Sequence, residues 1–212
     1  MKPTQRFGLS VLITVAIALP AFAYEYPLSS SSLRDAYMLG NRKDEHTAEF
    51  LARYSQFLPM PQTGPHVSVI SVETPYSQVV ELGENALNPD IQGAEKEYAD
   101  KQFPFIVRVE VDLTDSYPGL SPGNPAAPGQ PIPNFERDFN IELTQREGIP
   151  AKSTQVFLLY SDGATNVLQI SGAVIELQYD GDKIDSYDDA TVKVHTPDDQ
   201  DIETTFDLGH LR

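Results

Sequence analysis

FPFIVRVEVDLT, residues 103–114, sets Phe105, Val107, Val109, Val111 and Leu113 against Ile106, Arg108, Glu110 and Asp112 in strict alternation. A period of two, with β-branched residues on one side and charges on most of the other, is the pattern of a half-buried antiparallel strand. One such face must be covered by a second layer. Several shorter runs of the same kind follow it, so the stretch predicts a mainly β fold closed as a two-sheet sandwich.

The downstream runs are 135–143, with Phe139, Ile141 and Leu143 on one face; 155–160 (QVFLLY); 166–170; 173–179 (AVIELQY); and a closing hairpin. In that hairpin Val192 and Val194 face Phe206 and Leu208 across a turn at 197–200. Upstream, 66–74 (HVSVISVET) is a strand whose apolar residues change face between Val69 and Ile70, which predicts burial on both sides or a bulge. Residues 76–82 (YSQVVEL) read as a strand or one turn of helix closed by Gly83, and 94–99 as a short exposed helix. Seven or eight short strands with turn signals between them fit an immunoglobulin-like antiparallel β-sandwich that lacks the disulfide, because the chain contains no cysteine.

Before the first strand the pattern is helical. Serines 29–32 precede Leu33, Ala36, Tyr37 and Leu39, and Gly40 has the character of a left-handed stop. Asp44 or Thr47 then caps a second helix carrying Phe50, Leu51, Tyr54, Phe57 and Leu58 as one stripe, which Pro59 and Pro61 end. Two helices this short need the sheet to pack on. The expected organisation is a signal peptide at 1–23, an N-terminal helical segment at 24–62 and the sandwich at 63–212, interrupted by a proline-rich loop at 117–134. That loop holds six prolines and three glycines, so it reads as a solvated connection or as an extended partner-binding arm.

The address is written at the start. Lys2 and Arg6 precede an apolar run from Gly8 to Leu19, and Ala21-Phe22-Ala23 forms an A-x-A cleavage site, so the chain is expected to be periplasmic or secreted. The run is shorter than the ~20 residues of a membrane span and Pro20 interrupts it. No membrane span is expected after cleavage. Loss of Lys2 and Arg6 lowers the basic count from 15 to 13 against 31 acids and takes the net charge from −16 to −18. Such a field repels phosphates, which excludes nucleic acid as a partner and favours cationic ligands or divalent ions.

The segments 26–30 (YPLSS), 33–42 (LRDAYMLGNR) and 114–117 (TDSY), with the closing Phe206-Asp207-Leu208 and Leu211-Arg212, resemble a family of uncharacterised exported proteins of environmental bacteria. The resemblance spans nearly all of the chain after the signal. It implies export and a sandwich body, and it carries over no activity and no site residue.

For chemistry, the densest acidic stretch is 180–189 (DGDKIDSYDD). Asp180, Asp182 and Asp185 are the candidate metal ligands, and Ca²⁺ suits closely spaced carboxylates. The EF-hand order is missing, and the competing reading is a polar turn whose aspartates bond local backbone. His46, His66, His195 and His210 form no H-x-x-x-H pair and read as surface residues, although His195 and His210 could meet across the closing hairpin. No nucleophile elbow and no glycine-rich nucleotide loop is present, so no catalytic or cofactor-binding residue is assigned. Tyr24, Tyr26, Tyr37, Tyr54 and Tyr76 suit either a platform for a protein or glycan partner or glue between helices and sheet. The expected function is that of a non-enzymatic binding or envelope-associated structural module. The alternatives are a secreted hydrolase using loop carboxylates and a calcium-dependent adhesion or interaction domain.

Overall fold

The structure is a computed structural model that describes residues 23–60, 66–112, 135–162 and 168–212. The predicted signal at 1–23 lies outside these residues except for Ala23, and the proline-rich loop at 117–134 lies wholly outside them. In chain order the elements are α1 (Ser30–Asn41), α2 (Glu45–Ala52), β1 (Ser55–Phe57), β2 (His66–Glu73), α3 (Pro75–Asn85), α4 (Ile91–Lys101) and β3 (Phe105–Asp112). They continue with β4 (Asn140–Thr144), β5 (Gly148–Ile149), β6 (Ser153–Asp162), β7 (Leu168–Tyr179), β8 (Ala190–His195) and β9 (Asp201–Phe206). The fold is mainly β, with two antiparallel sheets and four helices among the described residues. None of those helices is long and apolar enough to cross a membrane.

The first sheet runs β1-β2-β3-β7-β6 and the second β5-β4-β8-β9. Phe105–Asp112 of the alternating stretch form β3, the middle strand of the larger sheet. Its Phe105, Val107, Val109 and Val111 are fully buried, and they share one apolar core with Leu143, Val192, Val194 and Phe206 of the smaller sheet. Burying a side chain of this size contributes about 1.5–3 kcal/mol, which makes the shared core the main source of cohesion between the sheets. β2 does hold a bulge, but earlier than the expected change of face between Val69 and Ile70: Val67 pairs with Val111 and Val69 with Glu110, leaving Ser68 unmatched and Val69 on the outward face. Val67, Ile70 and Val72 can therefore all enter the core. The expected strands at 166–170 and 173–179 are a single strand, β7, which runs through Gly172.

Four sequence expectations about the helices are corrected. The helical layer is not confined to an N-terminal pair, because α3 and α4 lie between β2 and β3. The segment at 76–82 is neither a strand nor a single turn. Thr74 caps it through a reciprocal bond with Ser77, Pro75 starts it, and it runs for eleven residues. The second helix stops at Ala52, and residues 55–57 form an edge strand instead, because the backbone of this segment finds β2 as a hydrogen-bonding partner.

Gly40 does not stop a helix either. It lies inside α1, where Leu33, Ala36, Tyr37 and Gly40 make a buried stripe at i, i+3, i+4 and i+7. In α3 the stripe Tyr76, Val79, Val80 and Gly83 has the same spacing. The two stripes meet so closely that a Cβ on Gly40 would overlap the Val80 carbonyl, and one on Gly83 the Tyr37 carbonyl. This crossing forms the heart of a second apolar cluster, which Ala94 of α4 and Phe103 complete.

A strap and a tail tie the helices to the sheets. Tyr24 is buried, its N–H donates to Leu208 O at 3.0 Å and its hydroxyl to Gly181 O at 3.2 Å, while Leu28 N–H donates to the Tyr98 hydroxyl at 2.7 Å. At residues 208–212 the Arg212 carbonyl accepts from the Tyr54 and Thr74 hydroxyls at 2.8 and 2.5 Å. The Arg212 guanidinium also lies 4.7 Å from the centre of the Tyr76 ring.

Candidate functional site

The outward face of the larger sheet carries the chemistry. Because side chains alternate along a strand, the register aligns residues of one face into rows across all five strands. One row is Phe57, Val69, Glu110, Val174 and Phe157; the adjacent one is Ser55, Ser71, Arg108, Glu176 and Gln155. Nearly all of these residues line one concavity of about 560 Å³. The ends of the first row are open: Phe57 is 80% and Phe157 50% exposed. Strands lie about 4.8 Å apart, so the two rings stand roughly 19 Å from each other, with Glu110 midway. Among the described residues no cation pairs with the Glu110 carboxylate.

The second row is the polar floor. Arg108 Nε donates to Glu176 Oε2 at 3.0 Å, and Arg108 Nη1 donates to Glu73 Oε1. Gln178 Nε2 donates to Glu176 Oε1 at 3.0 Å, and the Ser153 hydroxyl donates to Gln178 Oε1 at 3.1 Å, so the network crosses β2, β3, β7 and β6. The Glu73 and Glu176 side chains are each only 7% exposed against 37% for Arg108. Burial pushes the Glu73 carboxyl up to about 7, and the nearby Glu81 of α3 adds to the rise, against the pull of Arg108. Burial also raises Glu81. A titratable group shifted this far beside a concavity marks a candidate functional position. Sequence reasoning missed the set because positions 73, 108 and 176 share no local pattern; only the register brings them together.

The candidate metal ligands lie elsewhere. Asp180 precedes the short 3-10 turn Gly181–Lys183, which contains Asp182, and Asp180 O accepts from Lys183 N–H. Asp185 Oδ1 accepts from Tyr187 N–H at 3.0 Å, and its Oδ2 lies 3.7 Å from Arg146. Asp188 pairs with Arg146 Nε at 2.7 Å. The segment also receives the strap, since the Tyr26 ring sits where a Cβ on Gly181 would be. Among the described residues no three His, Asp or Glu side chains are grouped to hold a metal ion. With Arg146 occupying Asp185 and Asp188, replacing chelator by Ca²⁺ is expected to leave the thermal midpoint unchanged. A rise with Ca²⁺ that chelator reverses would instead show the pairings giving way to the ion.

Three of the four histidines are exposed: His46, His195 and His210. His195 Nδ1 is 2.8 Å from Asp201, whose hydrogen bond raises the imidazole above its ordinary value, and His210 bonds Asp207 instead of approaching His195 as a co-ligand. His66 departs from the expectation of a surface residue. It is buried, its Nε2 is 3.1 Å from Leu58 O, and its Nδ1 is 3.3 Å from Asp112 Oδ2 without hydrogen-bond alignment. Of the five tyrosines, Tyr24, Tyr37, Tyr54 and Tyr76 are buried between helices and sheets, so they act as glue and do not form a recognition platform. The exposed aromatics that do share a face are Phe57 and Phe157.

No protein-family model, curated protein or solved structure matches this chain.

Proposed function

We propose that this chain is an exported, non-enzymatic binding module whose recognition surface is the outward face of the larger sheet, and that its ligands carry positive charge on an apolar body. The observation behind this reading is the row in which an unpaired Glu110 stands between two exposed phenylalanines. A carboxylate supplies the charge partner, and aromatic faces attract both apolar groups and cations. The acidic field of the whole chain would draw such ligands in. Export rests on the basic, apolar and A-x-A pattern of residues 1–23. The immunoglobulin-like sandwich expected from the strand pattern belongs to the same reading. Its support is that two antiparallel sheets line one core, with α3 and α4 as an addition between β2 and β3.

The hydrolase alternative would use Glu73 and Glu176. Both bind Arg108 and are almost fully shielded, an arrangement that favours a structural ion cluster over groups free to act on a substrate.

A synthetic peptide of alternating lysine and leucine is the probe, with an all-lysine peptide reporting bulk charge attraction. In isothermal titration the alternating peptide is expected to bind the mature chain. Glu110→Gln, or Phe57→Ala with Phe157→Ala, should weaken it about tenfold, equivalent to about 1.4 kcal/mol, while the all-lysine peptide responds to salt but not to these substitutions. Equal affinity of both peptides for every variant would remove the basis for a site on this face.

A further inference from the structure

The four sheet edges are treated differently by the sequence. β1 and β5 are three and two residues long, too short to template another strand. β9 carries Asp201 and Glu203, so a two-fold pairing centred on residue 201, 202 or 203 sets one carboxylate against another. β6 has none of these guards. It is ten residues long, it is the last strand of its sheet, and among the described residues nothing pairs with its outer side. Residues 153–161 (STQVFLLYS) contain no charge and no proline, in a chain whose net charge is −16. Phe157 and Tyr160, two of the largest exposed apolar side chains, both belong to it.

We propose that β6 is the interface of a homodimer, in which two copies join edge to edge, antiparallel, about a two-fold axis perpendicular to the sheet. The second copy is the occupant that the charge pattern selects. An acidic chain approaching itself is repelled by its own field, and among the longer edges β6 is the one whose central residues present no like charges to each other. Symmetry restricts the register, and centring the uncharged run on the axis selects one. An axis normal to the sheet keeps the outward faces on the same side, and opposed residues in a ladder must share a face, so the sum of their numbers is even and the axis passes through a residue. The midpoint of 153–161 is Phe157. Each Phe157 therefore opposes its symmetry mate as a cross-strand aromatic pair, Gln155 opposes Leu159, and the two five-stranded sheets become one surface.

The absence of native cysteine makes a direct test available. Opposed residues in an antiparallel pair have Cα atoms about 4.5–5.5 Å apart, within the range a disulfide spans. The Phe157→Cys protein is expected to become a covalent dimer under mild oxidation, while Thr205→Cys, on the guarded β9, is expected to remain uncrosslinked. In sedimentation equilibrium the unmodified mature chain should show twice the mass of one chain. Phe157→Lys and Phe157→Glu should each raise the dissociation constant at least tenfold, and mixing the two should restore the doubled mass. Circular dichroism of each variant keeps loss of fold distinct from loss of pairing. A monomer up to millimolar concentration, or equal crosslinking at both cysteine positions, would overturn the proposal. Phe157 belongs to both readings, and Glu110→Gln on β3 separates them: it should weaken the alternating peptide and leave the doubled mass unchanged, so the two can fail separately.

Discussion

Gly40→Ala is expected to lower the thermal midpoint by roughly 5–10 °C, although alanine is the better helix former by about 1 kcal/mol. The added methyl has no room: it would overlap the backbone carbonyl of Val80, and a backbone atom cannot swing aside as a side-chain tip can. Either α1 and α3 separate, opening gaps beside Tyr37, Val79 and Val80, or one of them bends. Overpacking of this kind costs about 1–3 kcal/mol and sometimes more, and here it acts against backbone on both sides of the crossing. Gly83→Ala meets the reciprocal obstacle at the Tyr37 carbonyl and should cost a similar amount. Combining the two should be less than additive, since once the helices have moved apart the second methyl finds space already made. Gly148→Ala is the control: nothing lies within 4 Å of its Cβ position, and a change within about 0.5 kcal/mol is expected. If Gly40→Ala left the midpoint where Gly148→Ala leaves it, the close crossing would not exist in solution.

That crossing shows where a sequence stops being legible. A glycine after a helical run of apolar residues has the same local signature whether it ends the helix or lets another helix approach. The difference lies in the partner, and residues 76–82 are too short and too rich in valine to announce themselves as a helix. The capping residues Thr74 and Ser77 and the first-turn Pro75 were the available sign. β3 was readable because its burial is a property of its own alternation: four consecutive odd positions are fully buried and need no long-range information to be recognised. In β2 the broken alternation showed an irregularity but not its position, which the pairing with β3 sets at Ser68. Phe57 was misplaced because a helical stripe and a three-residue edge strand differ by only a few residues of pattern, and hydrogen bonding to β2 decides between them.

For the candidate site the asymmetry is greater. The acidic loop attracted attention because its aspartates are close in sequence, yet that density serves turns, Arg146 and the docking of Tyr24 and Tyr26. The ion cluster on the sheet is spread over about half the chain, one residue to a strand, each in a run that looks like ordinary alternation. What could have flagged it is the outward face of β3 itself. A strand that carries Arg108 on its outward face, in the centre of a sheet, must find carboxylates for it on its neighbours.

The ion cluster carries the second large effect, which depends on pH. Glu73 has its carboxyl raised from 4.5 to about 7 in the fold, so between these values the folded chain holds a proton that the unfolded chain has released. The contribution from this group is then greatest below pH 4.5, declines as pH rises and is lost above 7; the full span is roughly 3 kcal/mol. Glu73→Gln should flatten that part of the stability curve. Arg108→Met removes the one cation facing Glu73, Glu81 and Glu176 and leaves buried carboxylates without a partner, a change that costs about 3–5 kcal/mol. The loss should be largest near pH 8, where Glu73 must be ionised or take up a proton at a cost, and should shrink towards pH 5, where a protonated Glu73 tolerates the missing guanidinium. Adding Glu73→Gln and Glu176→Gln to Arg108→Met should recover much of the stability at pH 8, because neutral amides of nearly the same shape do not need the cation. Denaturant unfolding at pH 5 and pH 8 measures all of this. A deficit for Arg108→Met that is the same at both pH values would mean that the arginine stem packs the sheet and that its charge is incidental to the fold.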